Sequence, residues 1–351
     1  MERYVGILLN DAVYRELLSS PQANEFVPHF EEAGAHFGVV PVYLRLKALK
    51  AAKSKTEALI RVNQRFKPCT IPVPKVIYNR AVFYHPSSID FLSRWTASGK
   101  NIFNSCYHYS LHDIHQLLSL DASLCRYLPP LWPATGRKLE ELKAEHTTLE
   151  LIPEQGSPAS GLLYLTCEDG QNWELTVPNQ PENTVLHEDL LLTLQIMDYC
   201  VRPVLPLMKS GSRPCVIRMC LQKDETASWK ITGMTDVPDW KRAQPGEDIP
   251  ALSPQELKKD EFYNEICLLS KQISQLLSLS LPSIAEVGLE FGITAEGMPL
   301  FLRWYPDIGR TFAQLGMETD AASICQTPIG YARHLLGEHQ KFTEQQHALS
   351  P

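Results

Sequence analysis

Residues 4–9 read Tyr-Val-Gly-Ile-Leu-Leu and are closed by Asn10-Asp11. Residues 26–37 then carry Phe26, Phe30, Ala33 and Phe37 at i, i+4, i+7, i+11, and residues 39–46 return to an apolar run. A short apolar run bounded by turn residues is a buried strand, and the 3.6-residue spacing is a helix. A third apolar run, 76–80, follows the Pro-rich approach Ile71-Pro72-Val73-Pro74. Strand, helix, strand, crossover, strand is the order of a small parallel-sheet lobe.

Outward from that stretch, residues 90–97 and 108–120 read as helices around a strand at 101–104. The segment Tyr127-Leu-Pro-Pro-Leu-Trp-Pro133 then breaks the pattern and marks a lobe boundary. Beyond it, a helix at 138–146 and a strand at 149–152 precede a hairpin, 161–166 with 173–177. A second hairpin, 215–222 with 228–234, and a closing one, 285–292 with 300–305, flank a helix at 261–281. Residues 236–260, rich in Pro, Asp and Glu, read as a loop, and the polar stretch after Gly337 as a frayed tail. The expected fold class is α/β and α+β: a parallel α/β lobe at 1–126, a lobe of antiparallel sheets at 127–337 and a tail at 338–351.

Composition narrows the function. The 351 residues carry 33 Lys and Arg against 40 Asp and Glu, a formal charge of −7, which excludes a general polyanion binder. The basic run, Arg45, Lys47, Lys50, Lys53, Lys55, Arg61, Arg65 and Lys67 against Glu57, lacks interleaved aromatics, so it reads as a solvated helix face and not a nucleic-acid surface. No apolar stretch is long enough to insert in a membrane, and the N-terminus lacks the plan of a signal peptide. Nine cysteines without a Cys-x-x-Cys pair fit a reduced, cytoplasmic protein. His108, His112 and His115 sit on one predicted helix without the Glu of a zinc-protease motif, so they read as surface residues and no metal site is expected.

An ordered set of strings resembles the YheC/YheD endospore coat-associated family, which is ATP-grasp-like. They are Tyr4-Val-Gly-Ile-Leu-Leu-Asn10, Pro74-Lys-Val-Ile-Tyr-Asn-Arg80, Asn101-Ile-Phe-Asn-Ser105, Tyr127-Leu-Pro129, Pro153-Glu-Gln-Gly-Ser157, Trp229-Lys-Ile-Thr-Gly-Met234 and Glu286-Val-Gly-Leu-Glu-Phe-Gly-Ile293. The resemblance implies ATP between two antiparallel sheets, lysines at its phosphates, and a carboxylate pair holding Mg²⁺ for transfer to a substrate carboxylate. Such chemistry is mostly positioning and charge neutralisation.

The charges it requires are reduced here. Ser110 stands at the family's first lysine, and Ile152-Pro153 replaces its Lys-Pro step. Its phosphate loop survives as Gly156, Ser157 and Gly161, with Ala159 at the middle glycine. No Lys occurs between Phe103 and Leu131 or between Ala144 and Tyr199, so no shift of register restores either one. Its metal carboxylate and following Asn are Arg303 and Tyr305, while Glu290 keeps an acid and Arg218 keeps the Arg of an Asp-x-Arg whose Asp is Val216.

The implied nucleotide-site residues are therefore Gly156, Ser157, Gly161, Arg218, Glu290 and Arg303, and Tyr78, Asn79, Arg80 and Asn104 form a candidate ligand pocket in the first lobe. The resulting expectation is a catalytically impaired ATP-grasp-like protein that requires no cofactor, with ATP and Mg²⁺ entering only by resemblance. It would act as a binding or scaffold protein for spore coat proteins. The alternative is an ATP-dependent carboxylate–amine ligase with a rearranged nucleotide site.

Overall fold

The structure is a computed structural model that describes residues 3–19, 26–50, 53–83, 85–105, 109–154, 162–167, 174–177, 180–185, 199–210, 213–236, 262–281, 283–306, 308 and 321–349. Its first sheet follows the order β4-β3-β2-β1-β5-β6. β1 (Tyr4–Leu9) runs parallel to β2 (Val40–Arg45) and to β5 (Val76–Asn79), and β5 runs parallel to β6 (Asn101–Phe103). One face packs on α1 (Asp11–Ser19) and α2 (Phe26–Phe37) through Ile7, Tyr43, Tyr78, Leu17 and Phe30. The other face packs on α3 (Pro86–Ala97) through Leu8, Leu44, Ile77, Leu92 and Trp95. Cover on both faces is why these strands read as continuous apolar runs.

The basic segment corrects the sequence reading. In place of a helix, β3 (Lys55–Val62) and β4 (Arg65–Pro72) form an antiparallel hairpin, turned at Asn63 and Gln64 with φ of 50° and 61°. Positive φ at both turn residues is what a two-residue hairpin turn demands. The edge strand β4 carries Pro68 and Pro72, which have no N–H to offer, together with exposed Arg65 and Lys67. Proline and charge are common means of protecting an open edge.

A second sheet, in the order β11-β10-β9-β8-β12-β7, is antiparallel throughout. It comprises β7 (Trp132–Pro133), β8 (Thr148–Pro153), β9 (Leu163–Thr166), β10 (Glu174–Val177), β11 (Gln180–Val185) and β12 (Tyr199–Pro203). Leu149, Leu151, Tyr199 and Val201 pack with Leu139 and Leu142 of α5 (Gly136–Lys143). Because side chains alternate along a strand, Glu150, Ile152, Cys200 and Arg202 occupy the opposite face. Before this sheet, α4 (Leu111–Ser119) is started by Ser110, whose hydroxyl accepts from the Asp113 N–H while Asp113 accepts from the Ser110 N–H.

After the small β13 (Lys209–Ser210) and β14 (Arg213–Pro214) pair, the last sheet runs β16-β15-β17-β18. Its strands are β15 (Val216–Lys223), β16 (Trp229–Asp236), β17 (Glu286–Ile293) and β18 (Pro299–Tyr305). Ile217, Met219, Leu221, Val287, Leu289 and Phe291 pack with Ile266, Leu269, Ile273 and Leu277 of α6 (Phe262–Ser280). The alternate face carries Arg218, Cys220, Gln222, Glu286, Glu290, Arg303 and Tyr305.

α7 (Ala321–Leu349) returns to the first lobe, where Cys325, Ile329, Ala332 and Leu336 join the core formed by Phe30, Tyr43 and Tyr78. Contact with α2 is close: a Cβ at Gly330 would lie 2.8 Å from the Phe37 ring. The helix continues past Gly337, where the sequence suggested a frayed tail. Among the described residues, no helix is long and apolar enough to cross a membrane.

Candidate functional site

Two polar constellations stand out in this architecture. The first joins the lobes. Glu286, at the start of β17 and 5 % exposed, accepts from Tyr78 Oη at 2.7 Å and from Asn104 Nδ2 at 2.6 Å, and it also accepts from Gln222 Nε2. Gln222 also donates to the Ile324 carbonyl of α7 at 3.0 Å. Asn104, held at φ 56° just beyond β6, receives the Ala285 N–H on its Oδ1 at 2.8 Å, and its own N–H donates to the Ser283 carbonyl at 2.7 Å. Asn79 Nδ2 donates to the Asn104 carbonyl at 2.8 Å. Tyr78, Asn79 and Asn104, expected to line a first-lobe ligand pocket, are thus buried at a junction between β5, β6 and the last sheet. Arg80 lies with its guanidinium 5.0 and 5.1 Å from the Phe26 and Phe30 ring centres.

The second constellation lies between the two antiparallel sheets. Strand register places Arg218, Glu290 and Arg303 in one row across β15, β17 and β18. Arg218 Nε donates to Glu290 Oε1 at 3.0 Å, its Nη2 reaches the same oxygen, and its guanidinium lies 4.5 Å from the Tyr305 ring centre. A register irregularity between Glu290 and Phe291 falls beside Arg303, and such bulges re-aim side chains. From the facing sheet, Arg202 Nε donates to Glu150 Oε2 at 2.8 Å, and Cys200 Sγ donates to Glu154 Oε1 at 3.0 Å. Glu154 also accepts the His112 N–H at 3.0 Å, tying α4 to the same corner.

Charge and burial act on one another here. Arg303 is 7 % exposed. Burial draws its pKa down, opposed by Tyr305 and Glu290 and reinforced by repulsion from Arg202 and Arg218. For Arg218 burial also pulls down, but Glu290 and Tyr305 outweigh it and the pKa is raised. Burial and the nearby Glu290 push the Tyr305 phenol far up. Burial, then the Glu154 contact, do the same to the Cys200 thiol, with Arg303 and Arg202 pulling the other way.

His115 departs from the surface reading: it is half-buried, with Nε2 2.7 Å from the Pro129 carbonyl, and burial lowers its pKa. A carbonyl only accepts, so Nε2 carries the proton and Nδ1 is a buried acceptor that meets no partner among the described residues. Gly156, Ser157, Gly161 and His108 lie outside the described residues.

The model of the family described as YheC/D like ATP-grasp matches residues 99–335, more than half of the sequence. The chain belongs to that family. Solved structures extend the fold likeness to nearly the whole chain. The ATP-grasp ligase PsnB in complex with its minimal precursor superposes with a TM-score of 0.55 at 15 % identity, covering 95 % of this chain and 99 % of PsnB. The VanG D-Ala:D-Ser ligase from Enterococcus faecalis gives 0.55 at 8 % identity, covering 95 % and 100 %. D-alanyl-alanine synthetase A from Vibrio cholerae gives 0.53 at 11 % identity, covering 94 % and 99 %. Among curated proteins none matches the sequence. At these identities the likeness establishes the ATP-grasp fold.

A divalent cation does not fit this family member's final sheet. Mg²⁺ takes hard oxygen ligands, but the Glu290 carboxylate is bonded by Arg218 and faces Arg303 in the next strand. A guanidinium roughly 5 Å from a doubly charged ion is repelled by about 6–7 kcal/mol at an effective dielectric of 20. Among the described residues, no group of three His, Cys, Asp or Glu side chains is placed to hold a metal.

Sequence reasoning found Arg218, Glu290 and Arg303 but missed Glu150, Glu154, Cys200, Arg202 and the junction acid Glu286. The alternation in 199–203, with Tyr199 and Val201 turned to one face and Cys200 and Arg202 to the other, is the signal that could have exposed β12.

Proposed function

We propose that this YheC/D-like ATP-grasp protein has lost metal-assisted phosphoryl transfer and acts by binding. The observation that carries the reading is the Arg218–Glu290–Arg303 row, where the carboxylate facing the cleft is committed to arginine. Phosphoryl transfer in this fold needs positive charge carried by a metal and lysines at the transferring group. The absence of any Lys in 103–131 and 144–199 points the same way as the arginine at 303. The role proposed with it, from family resemblance, is that of a cytoplasmic protein that associates with the spore coat. In a spore-forming host, a fluorescent fusion gathering at the forespore surface supports it, and a uniformly cytoplasmic signal through coat assembly rejects it.

The alternative is an ATP-dependent carboxylate–amine ligase that uses Arg218, Glu290 and Arg303 in a rearranged site. The ligase and synthetase names of its structural relatives favour it. Coupled measurement of ADP release, with Mg²⁺-ATP and panels of amines and carboxylates, separates the two. The expected result is no release above the protein-free rate. Substrate-stimulated release by the native chain overturns the binding reading.

A further inference from the structure

We propose that Lys223 is a site of covalent acylation, where a small activated acyl group passes to the side-chain amine and its carbonyl is received by the indole N–H of Trp229. The site lies away from the cleft, where the hairpin of β15 and β16 meets α7. Lys223 ends β15 and pairs in register with Trp229, the first residue of β16. Its Nζ sits 5.4 Å from the Trp229 ring centre and 5.8 Å from that of Tyr331 on α7. Tyr331 is itself held by Phe103, edge-on at 5.2 Å, and stacks on His334, whose Nδ1 lies 3.1 Å from the Glu225 carbonyl. Two elements therefore fix the niche in which the amine stands.

Its partners set this lysine apart. Among the described lysine side chains, Lys138, Lys143 and Lys223 are half-buried, and Lys138 and Lys143 pair with Glu141 and Glu140. Lys223 forms no ion pair among the described residues. The carboxylate of adjacent Asp224 is turned back into the hairpin turn, accepting from Thr226 and Ser228. Burial draws the Lys223 pKa down, and the faces of the two rings, which attract an ammonium, act against it. A lowered pKa supplies more uncharged amine at neutral pH, and the uncharged amine is the nucleophile.

Trp229 supplies the second half of the site. It is 9 % exposed, and its buried Nε1–H meets no partner among the described residues. Leaving a buried donor unmade is costly. The oxygen of an N-acetyl group stands about 2.2 Å from its nitrogen, so an acetyl group on Nζ spans much of the distance to the edge of the indole. Acylation removes a half-buried charge and gives that N–H an acceptor. A small acyl group fits a niche walled by two rings.

In the step itself, the lone pair of the uncharged amine attacks the acyl carbon and a C–N bond forms. The bond from that carbon to its leaving group breaks, phosphate or thiolate departs with the electron pair, and the amine proton passes to water. An acyl phosphate and an acyl thioester share this chemistry, and they differ in the bulk that must approach the niche.

The full chain, treated at neutral pH with acetyl phosphate or with acetyl-coenzyme A, is mapped by mass spectrometry against exposed Lys55, Lys67 and Lys230. Each unit by which an amine pKa falls raises its uncharged fraction about tenfold, so Lys223 should react at least ~3-fold faster than those three with one donor or both. That lead should vanish in the urea-unfolded chain. A lead confined to acetyl phosphate identifies an acyl phosphate donor, one confined to acetyl-coenzyme A a thioester donor, and each supports the proposal. With isotope-labelled tryptophan, the Trp229 indole N–H resonance should move downfield on acetylation of the native chain and stay in place in Lys223→Arg, which keeps the charge and takes no acyl group. Trp229→Phe assigns that resonance; if the variant does not fold, the comparison with Lys223→Arg assigns it instead.

Lys223 reacting no faster than the exposed lysines with both donors overturns the proposal. So does a lead that survives unfolding, or an indole resonance unmoved by complete acetylation of Lys223.

Discussion

Glu286→Ala is the sharpest probe of how the two lobes hold together. The carboxylate receives hydrogen bonds from Tyr78, Asn104 and Gln222, all buried, and they arrive from β5, from the residue after β6, and from β15. Each buried donor left without a partner costs about 1–3 kcal/mol, but neighbours in one network do not add fully. With three neutral donors orphaned together and less than full additivity, the expected effect is about 3–5 kcal/mol. At about 2 °C per kcal/mol for a chain this size, calorimetry should show the melting temperature falling by about 6–10 °C.

Glu286→Gln should cost less, about 1–3 kcal/mol. The amide of Gln222 can turn, because its Oε1 meets no partner among the described residues, although it then gives up the bond to the Ile324 carbonyl. A double-mutant cycle with Tyr78→Phe should give a coupling of about 1–2 kcal/mol. An alanine variant melting within about 1 °C of the native protein, or additive effects in the cycle, would refute the argument that this carboxylate is the joint.

Arg80→Ala removes a guanidinium lying over Phe26 and Phe30 and should lower stability by about 1–2 kcal/mol, read as a lower melting temperature; loss of ligand binding with an unaltered melting temperature would instead support a first-lobe ligand pocket. Cys200, its thiol pKa raised by burial and by Glu154, should resist maleimide at pH 8 in the native protein, whereas exposed Cys125 reacts. Mass-spectrometric mapping that finds both labelled at one rate rejects that expectation. Burial depresses the His115 pKa, so the unfolded chain takes its proton first. The stability it contributes is present above about pH 6.5 and is lost as pH falls through the lower folded value. His115→Gln should therefore flatten the fall in melting temperature between pH 7 and 5, and an unchanged slope counts against a folded-state effect at this residue.

Much of the fold was legible because its signals are local. Helix spacing in 26–37 and 261–281 and strand alternation in 215–234 and 285–305 arise from residues a few positions apart. The basic hairpin was misread because charge drew attention from the alternation of Thr56, Ala58 and Ile60, which, with Cys69 and Ile71, builds one face of the sheet. The strands at 149–152, 161–166 and 173–177 of the second sheet were read, but β12 was missed, because five residues give only a brief alternation of Tyr199 and Val201 with Cys200 and Arg202.

The sequence by itself determined which chemistry the chain could supply: no lysine between Phe103 and Leu131 or between Ala144 and Tyr199, no acid in 297–306, and an arginine at 303. Composition fixes that, and no folding can add a carboxylate. Tertiary structure alone decided where those groups meet. Register across β15, β17 and β18 set Arg218, Glu290 and Arg303 in one row. Packing of the first lobe on the last sheet brought Tyr78 to Glu286, 208 residues away. Such long-range pairings depend on strand order and on which face each strand presents, and neither is written in any short window of the chain.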